Sequence, residues 1–243
     1  MARSNVTFAI LGVFVGYVLA LPYVAALQSP SYSRVVVFGD SLVDNGNGTY
    51  KLSNRTWPAD SAYFDGRFSN GLTWPEQLAG LLHVAHVDDY AHGSATTDNR
   101  VAKGCSGYNS TLPVPDVRTQ VHRYLAHVGH ADRDALYVVS GGSNDAFFGL
   151  LSGHTPKELA HDAVATLRRE TERLQRHGAR HVLVPTLSEM QATPYARKYS
   201  LGVARLITAA FTREVNHGLR AWVDGGARNV TLFDVHAVEA LRA

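Results

Sequence analysis

Short strand-like runs, the first of them wholly apolar, alternate along this chain with amphipathic helical stretches. Val35-Val36-Val37-Phe38 is a run of β-branched residues closed by an aromatic, the composition of a strand buried on both faces. Four later runs, at 84–90, 134–140, 180–186 and 229–234, also read as strands. Helical patterns lie between them. Thr73 can cap a helix that has Pro75 in its first turn and runs through Glu76, Leu78, Leu81 and Leu82. Val117, Val121, Leu125 and Val128 recur at three- and four-residue spacing and mark one helix face. Thr155-Pro156-Lys157-Glu158 is a capping box that opens a helix through Leu159, Ala163, Leu167, Thr171 and Leu174, closed by Gly178. Residues 204–223 read as a long helix ended by Gly225-Gly226, and 235–241 as the start of one more. Residues 44–71 and 98–115 read as loops, rich in Gly and polar side chains. Strand and helix alternate five times, which predicts an α/β fold: a doubly wound, mostly parallel five-stranded sheet with helices on both faces.

Composition narrows the partners. The chain has 243 residues, 45% of them hydrophobic and 18% charged, which suits one globular domain with a sizeable core. Net charge is +2 with scattered signs and no basic stripe, so no nucleic-acid partner is expected. Among 12 histidines, His122, His127 and His130 come nearest to a metal cluster. No cysteine or carboxylate joins them at ligand spacing, so they read as a solvated helix face and no metal is expected. No glycine-rich phosphate loop is present, and neither nucleotide nor other cofactor is expected. Cys105, the only cysteine, can form no intrachain disulfide. The chain is expected to be a monomer.

The first residues read as an address. Arg3 precedes an apolar run from Phe8 to Ala26, and Val18-Leu19-Ala20 and Val24-Ala25-Ala26 both offer small residues suited to a signal-peptidase site. The expected layout is a signal peptide at 1–26, a linker at 27–33 and one domain over 34–243. An uncleaved anchor is the alternative, and only then is a membrane a partner. Sequons at Asn47, Asn54, Asn109 and Asn229 agree with a secreted, extracellular glycoprotein.

Three of the strands end in polar signatures: Gly39-Asp40-Ser41, Gly93-Ser94-Ala95 and Gly142-Ser143-Asn144-Asp145. In a parallel sheet these endings share one rim, where ligands bind. Each has a plain reading as turn chemistry. Together they hold what acyl transfer needs: a hydroxyl nucleophile and several donors for the oxyanion of a tetrahedral intermediate. Ser41 offers the hydroxyl and a backbone N–H, Gly93 or Ser94 a second N–H, and Asn144 a side-chain amide. Asp40 and Asp44 stand too close to Ser41 to orient a base and are expected to tie the loop by local hydrogen bonds.

These blocks resemble the GDSL-type lipases and esterases of the SGNH hydrolases, in particular the plant- and fungal-like branch. Gly39-Asp40-Ser41-Leu42 with Asp44-Asn45-Gly46-Asn47 is similar to the family's first block. Gly66-Arg67-Phe68-Ser69-Asn70-Gly71, Tyr90-Ala91-His92-Gly93-Ser94-Ala95-Thr96 and Gly142-Ser143-Asn144-Asp145 resemble later ones, and Val184-Pro185 through Thr193-Pro194 its fourth-strand segment. The resemblance implies a flavodoxin-like SGNH fold. It also implies a secreted carboxylic-ester hydrolase that forms an acyl-enzyme at Ser41 without metal or cofactor. Its substrates would be small-molecule, lipid or acetylated-glycan esters.

Two departures follow. The family's paired glycine is Gly93-Ser94 here, so Ser94 can be the donor in place of Gly93. The family's Asp-x-x-His block near the C-terminus has no match, since Asp89-Tyr90-Ala91-His92 lies inside the second block and Asp234-Val235-His236 is one residue short. The domain is therefore expected to be C-terminally incomplete, with Asp234 and His236 as an alternative base pair. A catalytically impaired module that binds glycan or lipid is the rival reading.

Overall fold

The computed structural model describes residues 31–150, 153–193 and 203–240. The unit from Tyr32 onward carries the sheet. The apolar leader, its cleavage patterns and the Pro194 end of the fourth-strand segment lie outside the described residues. Among the described residues, strands β1 (Val35–Phe38), β2 (Val87–Asp89), β5 (Leu136–Val139), β6 (His181–Pro185) and β7 (Val230–Phe233) form one sheet in the order β2-β1-β5-β6-β7, every pairing parallel. This is the doubly wound α/β fold that the alternating pattern predicts.

β1 lies inside the sheet, with Val35 opposite Val87 on one side and Leu136 on the other. All four of its residues are buried, because each face of the sheet is covered at this point. Val36 and Phe38 join Tyr137, Val139, Val182 and Val184 in the larger core. Helices α3 (Val117–Val128), α5 (Pro156–Arg176) and α6 (Val203–Asp224) close that face through Val117, Val121, Leu159, Leu167, Phe211 and Val215. Val35 and Val37 face the opposite way, into a smaller core with Leu136, Val138, Val43 and Ala79 of helix α2 (Trp74–Leu81). A two-sided burial of this kind leaves no polar alternation in the strand, which is why β1 is legible as one continuous apolar run.

The helix starts follow the capping residues. Thr155 N–H donates to Glu158 Oε2 at 2.9 Å while Glu158 N–H donates to Thr155 Oγ1 at 3.3 Å, a reciprocal box. Asp116 Oδ1 accepts the Thr119 N–H at 2.7 Å and caps α3.

Four local readings change. The 84–90 strand shortens to Val87–Asp89. The 44–71 loop contains a helical turn, α1 (Thr49–Leu52). The 98–115 loop contains an antiparallel ladder of β3 (Cys105–Ser106) and β4 (Leu112–Pro113). Residues Ser143–Gly149 form helix α4, too short and too polar at its start to show a 3.6-residue period. The last helix, α7 (Val235–Ala240), follows β7 directly. His122 is a smaller correction: its Nε2 lies 3.4 Å from Oε2 of the buried Glu170, so it turns toward α5 instead of standing free in solvent.

Candidate active site

The rim beyond the carboxyl ends of β1, β2 and β5 is stitched by hydrogen bonds that continue the ladders. Ser140 N–H donates to Phe38 O at 2.9 Å, and His92 N–H donates to Gly39 O at 3.1 Å. Past Gly39 the chain makes one helical turn, in which Val43 and Asp44 N–H donate to Asp40 O at 3.1 and 3.0 Å and Leu42 N–H donates to Asp40 Oδ1 at 3.0 Å. Ser41 stands half-buried on this turn, and its hydroxyl bonds to no imidazole among the described residues.

Asp44 ties the loop, and it reaches further than local bonds. Its buried carboxylate accepts four backbone N–H groups: Gly46 at 3.0 Å and Gly48 at 3.2 Å on Oδ1, Thr49 at 2.9 Å and Gly93 at 2.9 Å on Oδ2. The Gly93 N–H is thus committed to Asp44. Gly93 also has no room for a side chain, because the Phe68 ring occupies the place of its Cβ. The Phe68 ring meets Tyr63 edge-on at 6.0 Å, and the guanidinium of the neighbouring Arg67 pairs twice with Glu76, Nε to Oε2 at 2.9 Å and Nη2 to Oε1 at 2.7 Å. Burial alone would raise the Glu76 pKa, but Arg67 and Thr73 more than offset it and hold it below the usual range. The Gly66–Gly71 block therefore acts as a clamp under the second-block loop.

Ser94 follows with φ +72°, a left-handed conformation uncommon for a residue with a Cβ. Its N–H donates to no group among the described residues. Asn144 occupies the first turn of α4, behind Gly142 at φ +119°. Its Nδ2 donates to Ala95 O at 2.9 Å, a bond that uses one of its two hydrogens. Next to it, Asp145 accepts Thr97 N–H at 3.0 Å on Oδ2 and the Thr97 hydroxyl at 2.5 Å on Oδ1. A cavity of about 290 Å³ opens beside this cluster, lined by Asp40 and Leu42 on either side of Ser41, by Ser143, and by apolar Trp74, Leu187 and Phe233.

Burial governs the ionisable groups here. Asp40 is pushed up to about 6 by desolvation, eased by the Leu42 N–H and worsened by the charge of Asp44. Asp145 is pushed up to about 7 by desolvation, against its Thr97 hydrogen bonds. Asp89 is raised for the same reason although it accepts Asn45 and Ala91 N–H at 2.8 and 2.7 Å. Burial lowers the His92 pKa, against the hydrogen bond that its Nδ1–H donates to Tyr90 O at 2.9 Å.

Asp234 is engaged by α6 and α7. Its carboxylate takes Arg220 Nε and Nη2, both at 2.9 Å, and accepts the Ala237 N–H at 3.0 Å at the start of α7. The His236 side chain lies outside the described residues. Two residues at the site carry no motif: Thr97, which anchors Asp145, and Gln120 on α3, which bonds Gly39. The signal for Gln120 is a polar residue on a helix face that is otherwise Val117, Val121 and Tyr124.

A parallel doubly wound sheet with Gly-Asp-Ser-Leu at the end of its first strand, and Gly-Ser and Ser-Asn-Asp loops on the adjoining strands, defines an α/β protein of the SGNH type. The chain belongs to the GDSL-like lipase/acylhydrolase family, whose model matches residues 35–241. Thermolabile hemolysin of Vibrio parahaemolyticus is 29% identical over 88% of this chain and 48% of its own length. Phosphatidylcholine-sterol acyltransferase of Aeromonas hydrophila is 27% identical over 81% of this chain and 57% of its own. A GDSL esterase/lipase of Arabidopsis thaliana is 29% identical over 70% of this chain and 57% of its own. The chain thus spans about half the length of these relatives. Among solved structures, a catalytic mutant of an acetylxylan esterase from Geobacillus stearothermophilus shares the fold, with TM-score 0.50 and 15% identity over 89% of this chain and 83% of that one.

Proposed function

We propose that this protein hydrolyses carboxylic esters through an acyl-enzyme at Ser41. The observation that carries the reading is the junction of Asn144 with Ala95, which brings a side-chain amide to the loop of Ser94 beside the Ser41 turn. Ser41 Oγ attacks the ester carbonyl carbon and gives its proton to a base. The carbonyl oxygen becomes an oxyanion that receives the N–H groups of Ser41 and Ser94 and the remaining Nδ2 hydrogen of Asn144. Collapse breaks the bond to the alcohol, which leaves with a proton, and water then releases the acid from Ser41. Ser94 is the donor of the second block, because the Gly93 N–H is committed to Asp44.

The apolar lining of the cavity that Asp40 and Leu42 border supports an acyl group larger than acetyl. The apolar leader and the sequons support secretion. Asp234 acts as a helix cap and ion-pair partner in this reading, not as a triad acid. That engagement also supports the second reading, a binding module that keeps the cleft for lipid or glycan without turnover.

Hydrolysis of p-nitrophenyl butyrate by the protein and by its Ser41→Ala variant separates the two. Turnover that Ser41→Ala abolishes is expected. Saturable binding of an ester with no Ser41-dependent release of p-nitrophenol would support the module instead.

A further inference from the structure

In a parallel pair, one residue's N–H and C=O point to the same neighbouring strand and bond the residues on either side of its partner. β1 and β2 keep this pattern up to the rim: Tyr90 N–H donates to Val37 O at 2.9 Å and His92 N–H to Gly39 O at 3.1 Å. The next rung should be Gly39 N–H to Tyr90 O. Two side chains replace it. Gly39 N–H donates to Gln120 Oε1 at 2.8 Å, and Tyr90 O accepts His92 Nδ1–H at 2.9 Å. Gln120 Nε2 donates back to Gly39 O and also to Pro115 O, both at 3.0 Å.

The carboxamide thus stands where a neighbouring strand's peptide would stand, with one acceptor and two donors in use. It is 1% exposed, on a helix face that packs Val117 and Val121 into the apolar core. A buried amide at such a place is tolerated only because each polar atom has a partner. Gly39, two residues before Ser41, is hemmed in on its other side as well: a Cβ there would lie 2.5 Å from Val43 Cγ2 and 3.2 Å from Ser140 O.

We infer that Gln120 is a positioning residue for the nucleophile. It fixes the Gly39 peptide and, through that peptide, where the Ser41 hydroxyl and N–H stand relative to Ser94 and Asn144. The inference rests on the proposed ester hydrolysis for its meaning, and its test has a second readout that does not.

Gln120→Leu keeps the side-chain bulk and removes the hydrogen bonds. We expect kcat on p-nitrophenyl butyrate to fall about 10- to 100-fold, since small misplacements of reacting groups have effects of that size. KM should stay within about twofold, the pattern of an interaction realised in the transition state. Amide exchange should accelerate at 39–42 while the β5 amides stay protected. Unchanged exchange at 39–42 in a folded variant would overturn the inference, as would a fall in kcat matched by loss of folded protein. If the parent shows no Ser41-dependent turnover, the hydrolase reading fails and exchange still decides the role of Gln120. Should Gln120→Leu not fold, Gln120→Glu carries the test. Its protonated carboxyl regains the donor to Gly39 O, so protection at 39–42, corrected for intrinsic exchange, should rise from pH 8 to pH 5 by more than it does in the parent, where Asp40 titrates in the same window. A pH dependence equal to the parent's would overturn the inference.

Discussion

Asp44 Oδ2 accepts the Gly93 N–H at 2.9 Å across 49 positions of sequence. This one bond ties the loop after Ser41 to the loop after β2, and it engages the N–H of Gly93 but not that of Ser94. Asp44→Asn leaves one acceptor oxygen and turns an NH₂ group toward two of the four N–H donors. Leaving buried donors unpaired costs about 1–3 kcal/mol each, so for two donors a loss of about 2 kcal/mol or more is expected from urea unfolding. A loss below about 1 kcal/mol would mean that the carboxylate does not organise the loop.

Ser94 holds φ +72°, where a side chain is strained. Ser94→Gly removes that strain, roughly 1–2 kcal/mol for an L-residue, against the greater freedom of glycine in the unfolded chain. Its stability should match or exceed the parent's, with ester turnover kept. Ser94→Val puts a β-branched residue at positive φ and should lower both. Equal stability for the glycine and valine variants would argue that this conformation is not required.

Asn144→Ala removes the side-chain donor and leaves Ala95 O without its partner. Loss of one oxyanion donor costs about 10²–10³ in kcat in comparable hydrolases, and steady-state kinetics on p-nitrophenyl butyrate should return a fall in that range. A fall of less than about threefold would take Asn144 out of the oxyanion hole.

Asp145 titrates at about 7 in the folded chain, raised by burial, and Asp40 at about 6 for the same reason. The unfolded chain releases these protons near the usual carboxylate value, so between about pH 4 and 7 the folded state binds more protons. Their contribution is therefore complete below the unfolded pKa and is lost as pH rises through 6 to 7. Asp145→Asn keeps an acceptor for Thr97 and removes the titration. The variant should gain roughly 1 kcal/mol or more relative to the parent between pH 5 and pH 8. Parallel pH–stability curves would contradict this.

Asp234 pairs with Arg220 and caps α7, and these bonds hold its pKa low although burial alone would raise it. The pair is about one-third exposed, which limits its worth to roughly 1 kcal/mol. Asp234→Asn should cost about that much stability and leave Ser41-dependent turnover intact. A loss of turnover as large as that of Ser41→Ala would return Asp234 to the base.

The sequence by itself determined the alternation of strands and helices, the burial of β1, the capped helix starts and the three polar strand endings. All of these rest on local periodicity or on residues within a few positions of one another. The family's blocks were legible for the same reason, since each is a short turn. Tertiary structure alone decided what those turns do to each other. Gly93 and Ser94 are adjacent and chemically equivalent as backbone donors, and only a carboxylate from another loop engages one N–H and leaves the other without a partner among the described residues. Asp234 and His236 stand two residues apart in sequence, whereas the Arg220 that pairs with Asp234 reaches it only through the packing of α6 beside β7. Gln120 carries no motif, because its amide lies 81 residues downstream of Gly39 and meets the Gly39 peptide only when α3 packs on β1. Hydrogen bonds between distant segments depend on how the layers close, and no local pattern encodes that closure.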